Sequence, residues 1–172
     1  MTFDELEGKE SLEYRLSHDV TMRLEGRIDR LDTFEDENKI SIKVMDYKSG
    51  NTKFDLIRVY RGLQLQLVVY LNAAMELTRQ EHPDKEVLPA GVLYYQIQDP
   101  VLDTEEELEE EEASQRILEK LKPGGLVNSD PEIIRLLDRS MPGKSSVLPL
   151  SCNKDGSLRA GSPVATKEQF AQ

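Results

Sequence analysis

The stretch I-S-I-K-V-M-D-Y-K-S-G (residues 40–50) determines how the rest of the chain is interpreted. Its alternate side chains are apolar at first: Ile40, Ile42 and Val44. This period of two is typical of a strand with one buried face. Asp46 and Lys48 continue the same face beyond the apolar residues. Charged groups rarely occupy such positions unpaired, so the pattern predicts a functional site at the edge of the core or a simple ion pair at the strand end.

A second alternating segment covers residues 20–28 and also predicts a half-buried strand. The polar residues 35–39 (E-D-E-N-K) separate it from the stretch above and predict a turn. We therefore expect an antiparallel hairpin in which Asp29 ends the first strand and Asp46-Tyr47-Lys48 ends the second, near the turn Ser49-Gly50-Asn51.

Periodicity and chain breakers predict the remaining elements, which are helices over residues 59–78, 104–121 and from Asp130 onward, and a strand over 92–97. Pro89-Ala90-Gly91 is interpreted as a break before that strand, whose apolar sequence indicates a central place in a sheet. Pro123-Gly124-Gly125 is expected to end the second helix, and Ser129 or Asp130 to cap the third with Pro131 at its first position. The order of strands and helices indicates an α/β fold with mixed strand directions.

Length and composition favour a single domain over residues 1–172, with a Gly, Pro and Ser-rich, partly irregular tail from 141 to 172. The tail is expected to hold a small hairpin at Asp155-Gly156. No apolar run is long enough to span a membrane. The single cysteine, Cys152, allows neither an internal disulfide nor a cysteine metal site, and we expect a half-buried or solvated thiol in a cytoplasmic protein.

The net charge of −11 argues against a protein that binds duplex DNA tightly on its own. Seven glutamates between residues 105 and 112 account for much of it and leave about −4 elsewhere. We interpret this acidic run as the solvated start of a helix, with a partner-docking segment as the alternative. DNA held through a bridging metal ion, or delivered by a partner, remains compatible with this charge.

Three local features suit phosphodiester hydrolysis. Two aspartates at the ends of paired strands, Asp29 and Asp46, can converge on one Mg²⁺, which prefers oxygen ligands. Lys48 projects from the same strand face as Asp46, where an ammonium can orient water or stabilise phosphoryl oxygens. Gln66 and Tyr70 share one helical stripe, from which they could order the lysine or reach a phosphate. Alternatively, Tyr70 is a core residue and Gln66 a surface one.

Taken together, three segments resemble the nuclease motifs of the RecB-type PD-(D/E)XK family: G-R-I-D-R-L-D (26–32), V-M-D-Y-K-S-G (44–50) and Y-R-G-L-Q-L-Q-L-V-V-Y-L (60–71). Two more are similar to the B subunits of AddAB-type helicase–nucleases: P-A-G-V-L-Y-Y-Q-I-Q-D-P (89–100) and K-D-G-S-L-R (154–159). The resemblance extends from about Val20 to Phe170.

This resemblance implies a restriction-endonuclease-like mixed sheet flanked by helices. It further implies that Asp29, Asp46 and the carbonyl of Tyr47 bind Mg²⁺, for which Mn²⁺ can substitute, and that Lys48 is the catalytic lysine. Gln66 and Tyr70 would support the lysine and the DNA backbone. The implied activity is a DNA exonuclease, acting in double-strand-break repair and recombination on single strands delivered by an AddA-type helicase–nuclease subunit.

The chain departs from this family in two respects. An upstream helix usually adds a metal ligand, often a histidine, and His18 lies too close to the first predicted strand to be an obvious equivalent. The four cysteines that hold an iron–sulfur cluster in the B subunits are absent, so we expect that cluster in a larger parent protein and this chain to be a fragment of it. Two alternatives follow: an inert fragment or scaffold of the same fold, and a stand-alone nuclease related to CRISPR adaptation or phage recombination.

Overall fold

A five-stranded mixed sheet forms the centre of the structure, a computed structural model that describes residues 12–17, 20–24, 26–50, 53–97, 100, 109–143 and 145–170. The strands are β1 Leu12–Ser17, β2 Val20–Leu24, β3 Arg30–Glu35, β4 Lys39–Lys48, β5 Glu86–Gln96, β6 Gly124–Asn128 and β7 Val164–Ala165. The helices are α1 Leu56–Tyr60, α2 Gln66–Glu81, α3 Glu110–Lys120, α4 Pro131–Leu137 and α5 Lys167–Phe170. The sheet order β3-β4-β5-β6-β7 confirms the predicted α/β class and the restriction-endonuclease-like mixed sheet.

The predicted hairpin exists, but its first strand is β3 rather than residues 20–28. β2 pairs with β1 in a separate two-stranded sheet, and Asp29 precedes β3 instead of ending the first strand. Alternation of side chains continues across Gly26 and cannot show where the chain leaves one sheet for another. The turn is as predicted, because the Asp36 carboxylate accepts hydrogen bonds from the N–H groups of Asn38 and Lys39 at 2.8 and 2.7 Å.

β5 begins earlier than expected, so the predicted break at Pro89-Ala90-Gly91 is wrong. This strand lies parallel to β4 and antiparallel to β6, which the sequence did not predict. Between β4 and β5 the register shifts, since Ile42 pairs with Pro89 while Lys43 pairs with Gly91, leaving Ala90 as an extra residue. A bulge of this kind accommodates a proline inside a strand. The central position of β5 is confirmed.

One predicted helix, residues 59–78, is two helices in the structure. Gly62 adopts a φ of 75°, and the N–H groups of Leu63 and Gly62 bond to the carbonyls of Arg58 and Val59 at 2.8 and 2.9 Å. This is the Schellman pattern that ends a helix at a left-handed glycine. α2 then packs on one face of β4 and β5, with a core that includes Leu67, Leu71, Ala74, Ile42, Val44 and Val92.

The predictions for α4 and for the tail hairpin are confirmed. Asp130 caps α4, accepting a hydrogen bond from the N–H of Glu132 at 2.8 Å, and Pro131 is its first residue. α4 packs on the opposite sheet face through Ile134. In the tail, Cys152 and Leu158 form an antiparallel bridge around the expected turn. Residues 104–108 of the second predicted helix lie outside the described residues.

Within the described segments, no helix is long and apolar enough to cross a membrane.

The close contact between β5 and β6 predicts a strong effect of substituting Gly125. A Cβ atom there would lie 2.1 Å from the carbonyl oxygen of Val92, within the β5 backbone. Gly125→Ala is therefore expected to lower the free energy of unfolding by about 2 kcal/mol or more, measured by urea denaturation. Gly50→Ala is the matched control, because nothing lies within 4 Å of the added atom. Equal stability of the two variants would contradict this pairing of β5 and β6.

Candidate active site

Asp46 and Lys48 lie together at the end of β4, on the face that packs against α2. Asp46 is 4% exposed, and its Oδ2 lies 2.6 Å from Nζ of Lys48. Partial burial would lower the pKa of Lys48, but the close contact with the Asp46 carboxylate and its negative charge raise that pKa above the ordinary lysine value, with smaller contributions from Tyr94 and Asp29. The lysine side chain is therefore a cation at neutral pH.

The Asp46 carboxylate retains an unused acceptor. Its Oδ2 atom is buried and has no hydrogen-bond partner among the described residues. Lys48 approaches this oxygen closely, but not in a direction that makes a hydrogen bond, so the contact is electrostatic. A buried carboxylate oxygen without a hydrogen bond is costly, and coordination of a cation is one way to satisfy it.

Asp29 reaches the same segment from the chain just before β3. Its Oδ2 accepts a hydrogen bond from the N–H of Tyr47 at 2.9 Å. The structure thus brings Asp29 to the backbone between Asp46 and Lys48, although Asp29 precedes β3 instead of ending the first strand of the hairpin. Two carboxylates beside a backbone carbonyl are a donor set that suits a hard divalent ion with water or phosphate as further ligands. The described residues contain no cluster of three His, Cys, Asp or Glu side chains suited to a metal, and His18 lies outside them.

Gln66 and Tyr70 extend the site onto α2. The Gln66 Oε1 atom accepts a hydrogen bond from Nζ of Lys48 at 3.1 Å, and its Nε2 donates to the Tyr70 hydroxyl at 3.3 Å. Gln66 is the first residue of α2, so the helix places this amide directly over the end of β4. Gln66 therefore contacts Lys48 directly, which is one of the arrangements that the sequence left open for the helical pair.

Tyr94 forms the floor of the site, a role that no sequence pattern indicated. It pairs with Asp46 in the parallel register of β4 and β5, and Nζ of Lys48 lies 5.2 Å from the centre of its ring. Phe54 also packs against this ring, with the centres of the two rings 6.2 Å apart. The double tyrosine in Y-Y-Q was visible in the sequence, but only the pairing register shows which ring faces the lysine.

Two predictions from composition concern residues outside the site. Cys152 is a free, partly buried thiol, as expected. The acidic run contributes Glu110, Glu111 and Glu112 to the exposed first turn of α3, which agrees with the solvated-helix interpretation for its described part.

Comparison with known proteins supports the resemblance seen in the motifs. Residues 2–143 match the PD-(D/E)XK nuclease superfamily. Proteins named as the B subunit of an ATP-dependent helicase/deoxyribonuclease are similar over most of the chain. The one from Lachnoclostridium phytofermentans is 44% identical over 170 residues, which covers 93% of this chain and 14% of that protein.

Two further relatives carry the same name. The protein from Clostridium novyi is 46% identical over 160 residues, covering 92% of this chain and 14% of its own length. The protein from Thermoanaerobacter sp. strain X514 is 43% identical over 155 residues, covering 90% of this chain and 13% of its own length. The chain therefore spans about one-seventh of the relatives it matches.

The Asp46–Lys48 contact predicts non-additive effects on stability. Lys48→Met leaves the buried carboxylate without its cation and should lower the free energy of unfolding by about 1–3 kcal/mol, less than for a fully buried pair because the lysine is 25% exposed. Adding Asp46→Asn should restore most of that loss. Urea denaturation in EDTA measures both effects, and Arg116→Gln, in an exposed pair with Glu112, should change stability little. Additive losses would contradict a coupled pair.

Proposed function

The chain belongs to the PD-(D/E)XK nuclease superfamily, and we propose that it is a cytoplasmic, Mg²⁺-dependent deoxyribonuclease domain that hydrolyses phosphodiester bonds of unwound DNA. The observation that carries the proposal is the buried Oδ2 of Asp46, which has no hydrogen bond among the described residues and lies beside Lys48. A carboxylate buried beside a lysine at a strand end can also bind a divalent cation through its remaining lone pairs.

In this proposal Asp29, Asp46 and the carbonyl of Tyr47 hold the metal ion. Mg²⁺, or Mn²⁺ in its place, supplies polarisation of the phosphate and a water of lowered pKa when bound. The role of Asp29 requires little rearrangement, because only its Oδ2 is engaged by the Tyr47 N–H and its other oxygen has no protein hydrogen bond in the described structure. Water and phosphate oxygens would complete the coordination.

Lys48 acts on the phosphate as a fixed cation. Its raised pKa keeps the ammonium charged at neutral pH, so it donates hydrogen bonds to water or phosphoryl oxygens rather than accepting a proton. Gln66 limits its motion through the 3.1 Å hydrogen bond, and Tyr70 fixes the orientation of the Gln66 amide. Gln66 and Tyr70 are therefore positioning residues in this reaction.

The wider role follows from the relatives, whose name describes the B subunit of a helicase/deoxyribonuclease. We propose that the chain is the nuclease part of such a protein, acts with an AddA-type helicase–nuclease partner on single strands, and serves double-strand-break repair and recombination. The net charge of −11 fits a domain that receives DNA from a partner. The iron–sulfur cluster, by the same proposal, belongs to the rest of the larger protein.

A catalytically inert scaffold of the same fold is the second candidate. The observation that favours it is that the described residues supply only two acidic side chains at the site, fewer than the three that would make a metal cluster. Metal affinity is the property that separates the two candidates.

The proposal predicts metal-dependent cleavage of a labelled single-stranded oligonucleotide. Asp46→Asn should abolish both cleavage and Mn²⁺ binding, because it removes a charged ligand. Lys48→Met should retain Mn²⁺ binding but slow cleavage roughly 100-fold or more, because it removes only the cation that acts on the phosphate. Binding is measured by calorimetry and cleavage on denaturing gels.

Lys85→Met provides the matched control, since that lysine pairs with Glu35 at the opposite end of β4 and β5 and should leave both quantities unchanged. Mn²⁺ binding by the wild-type chain without cleavage, even with excess DNA, would indicate that this chain needs a further ligand or partner. Failure to bind Mn²⁺ at millimolar concentration would favour the inert scaffold.

A further inference from the structure

The helix α1 and the turn after it, residues 56–63, form an exposed ridge beside the candidate active site. We call it the α1 ridge. None of the side chains of α1 is buried, although most of them are apolar. Its large exposed side chains are Leu56, Ile57, Tyr60 and Leu63, and the ring of Tyr60 is 92% exposed. Soluble domains rarely expose such a cluster unless it contacts a ligand or partner.

The ridge is held in a fixed position rather than loosely attached. Asp55 caps α1 by accepting hydrogen bonds from the N–H groups of Ile57 and Arg58 at 2.8 and 3.3 Å. The buried Gln64 side chain donates to the carbonyl of Lys53 and accepts from the N–H of Asp55, at 2.9 and 3.0 Å. These bonds and the Schellman turn at Gly62 fix both ends of α1, so its exposed side chains are preorganised.

The segments on either side of the ridge lead to the site. Phe54, just before α1, packs against the ring of Tyr94, on which the ammonium of Lys48 also lies. Gln64 is two residues from Gln66, which contacts Lys48 directly.

The charge of the ridge differs in sign from that of the chain. Lys53, Arg58 and Arg61 lie within nine residues that contain only one acidic residue, Asp55, whereas the chain carries −11. Neither Arg58 nor Arg61 forms an ion pair with any of the residues described here. Cations that have no ion-pair partner among the described residues and lie near an exposed aromatic ring suit a nucleic-acid strand, whose phosphates and bases they can contact together.

We propose that the α1 ridge binds single-stranded DNA on its path into the active site, with a base stacked on Tyr60 and phosphates on Arg58 and Arg61. The inference rests on the proposed nuclease function, since that function supplies the reason for a strand beside Lys48. Single-stranded DNA fits better than duplex because the bases of a duplex are already stacked and cannot cover an exposed ring. The stacking is tolerant of sequence, as expected of a nuclease that degrades any strand it receives.

Binding of a fluorescent oligothymidine in EDTA tests the proposal without cleavage. Tyr60→Ala should weaken binding roughly 5- to 100-fold, the usual effect of removing one stacking ring. Tyr60→Phe should bind like the wild type, and Tyr60→Leu should bind like the alanine variant, because a flat ring and not apolar area is required. Arg58→Gln with Arg61→Gln should reduce the slope of log affinity against log salt by about 1.4, for two lost phosphate contacts.

An abasic strand of the same length separates the two kinds of contact. It retains the sugar–phosphate backbone, so the double arginine variant should still weaken its binding while Tyr60→Ala should not. Arg135→Gln is the matched control, because Arg135 is an exposed residue of α4, on the opposite face of the sheet. Thermal unfolding should be unchanged in all these variants, since the substituted side chains are exposed.

Equal affinity of Tyr60→Ala and wild type for oligothymidine would overturn the proposal, as would a wild-type chain that binds no single strand. If the wild type instead dimerises in light scattering and Tyr60→Ala is monomeric with unchanged DNA affinity, the ridge is a docking face for a second copy. Asp46→Asn should bind the strand as the wild type does. Retained strand binding by a wild type that neither binds Mn²⁺ nor cleaves DNA would contradict the catalytic proposal and leave the strand-binding one supported.

Discussion

The packing of α2 against one face of β4 and β5 is the interaction on which the site depends. Leu67 and Leu71 are almost completely buried against the sheet, and each such side chain contributes about 1.5–3 kcal/mol to stability. Gln66 immediately precedes Leu67, so the burial that fixes the helix also fixes the amide that contacts Lys48. The hydrogen bond between Gln66 and Lys48 contributes only about 1 kcal/mol, but the larger free energy of burying Leu67 and Leu71 fixes its position.

The same strand face that builds the core becomes the site at its end. Alternation along β4 directs Asp46 and Lys48 toward the α2 side, where Tyr94 of the neighbouring strand shields them from solvent. The Asp46 oxygen therefore carries a desolvation cost that the lysine offsets electrostatically but does not remove through a hydrogen bond. Buried polar atoms normally have hydrogen-bond partners, and exceptions to this rule are found mainly at functional sites, where a ligand is expected to supply the missing partner.

Much of this arrangement could be predicted from the sequence, because strong local patterns determine it. The buried face of β4 follows from a period of two residues, and the cap of α4 from the residue types Asp130 and Pro131. Support of Lys48 by the helix was implied by the family resemblance rather than by spacing. Predictions were wrong or incomplete where one local sequence pattern is compatible with two different structures. Pro89-Ala90-Gly91 suggested a break but forms a bulge inside β5. Gly124-Gly125 does follow the end of α3, as predicted, but it also begins β6, which the sequence did not indicate, and there Gly125 permits close approach of two backbones.

Non-local pairing explains the other failures. Nothing near Tyr94 in the sequence shows that it lies beside Asp46, because the parallel register of β4 and β5 is set by the packing of both strands with α2. Gly62, by contrast, was a local signal: a glycine between two apolar helical turns is the usual residue at a left-handed helix end. Because the chain stops being helical there, α1 projects from the body of the fold instead of continuing along α2.

The interruption at Gly62 also explains how an acidic chain can present a surface suited to DNA. Net charge is a sum over the whole molecule, whereas a strand in salt solution responds to charges within a screening length of about 8–10 Å. The glutamates at the start of α3 are exposed and available to solvent counterions. Arg58 lies on α1 and Arg61 follows it directly, so along the proposed path of the strand these cations set the local potential rather than the total of −11. A strand that follows the proposed path would therefore meet local positive charge, whatever the net charge of the whole chain.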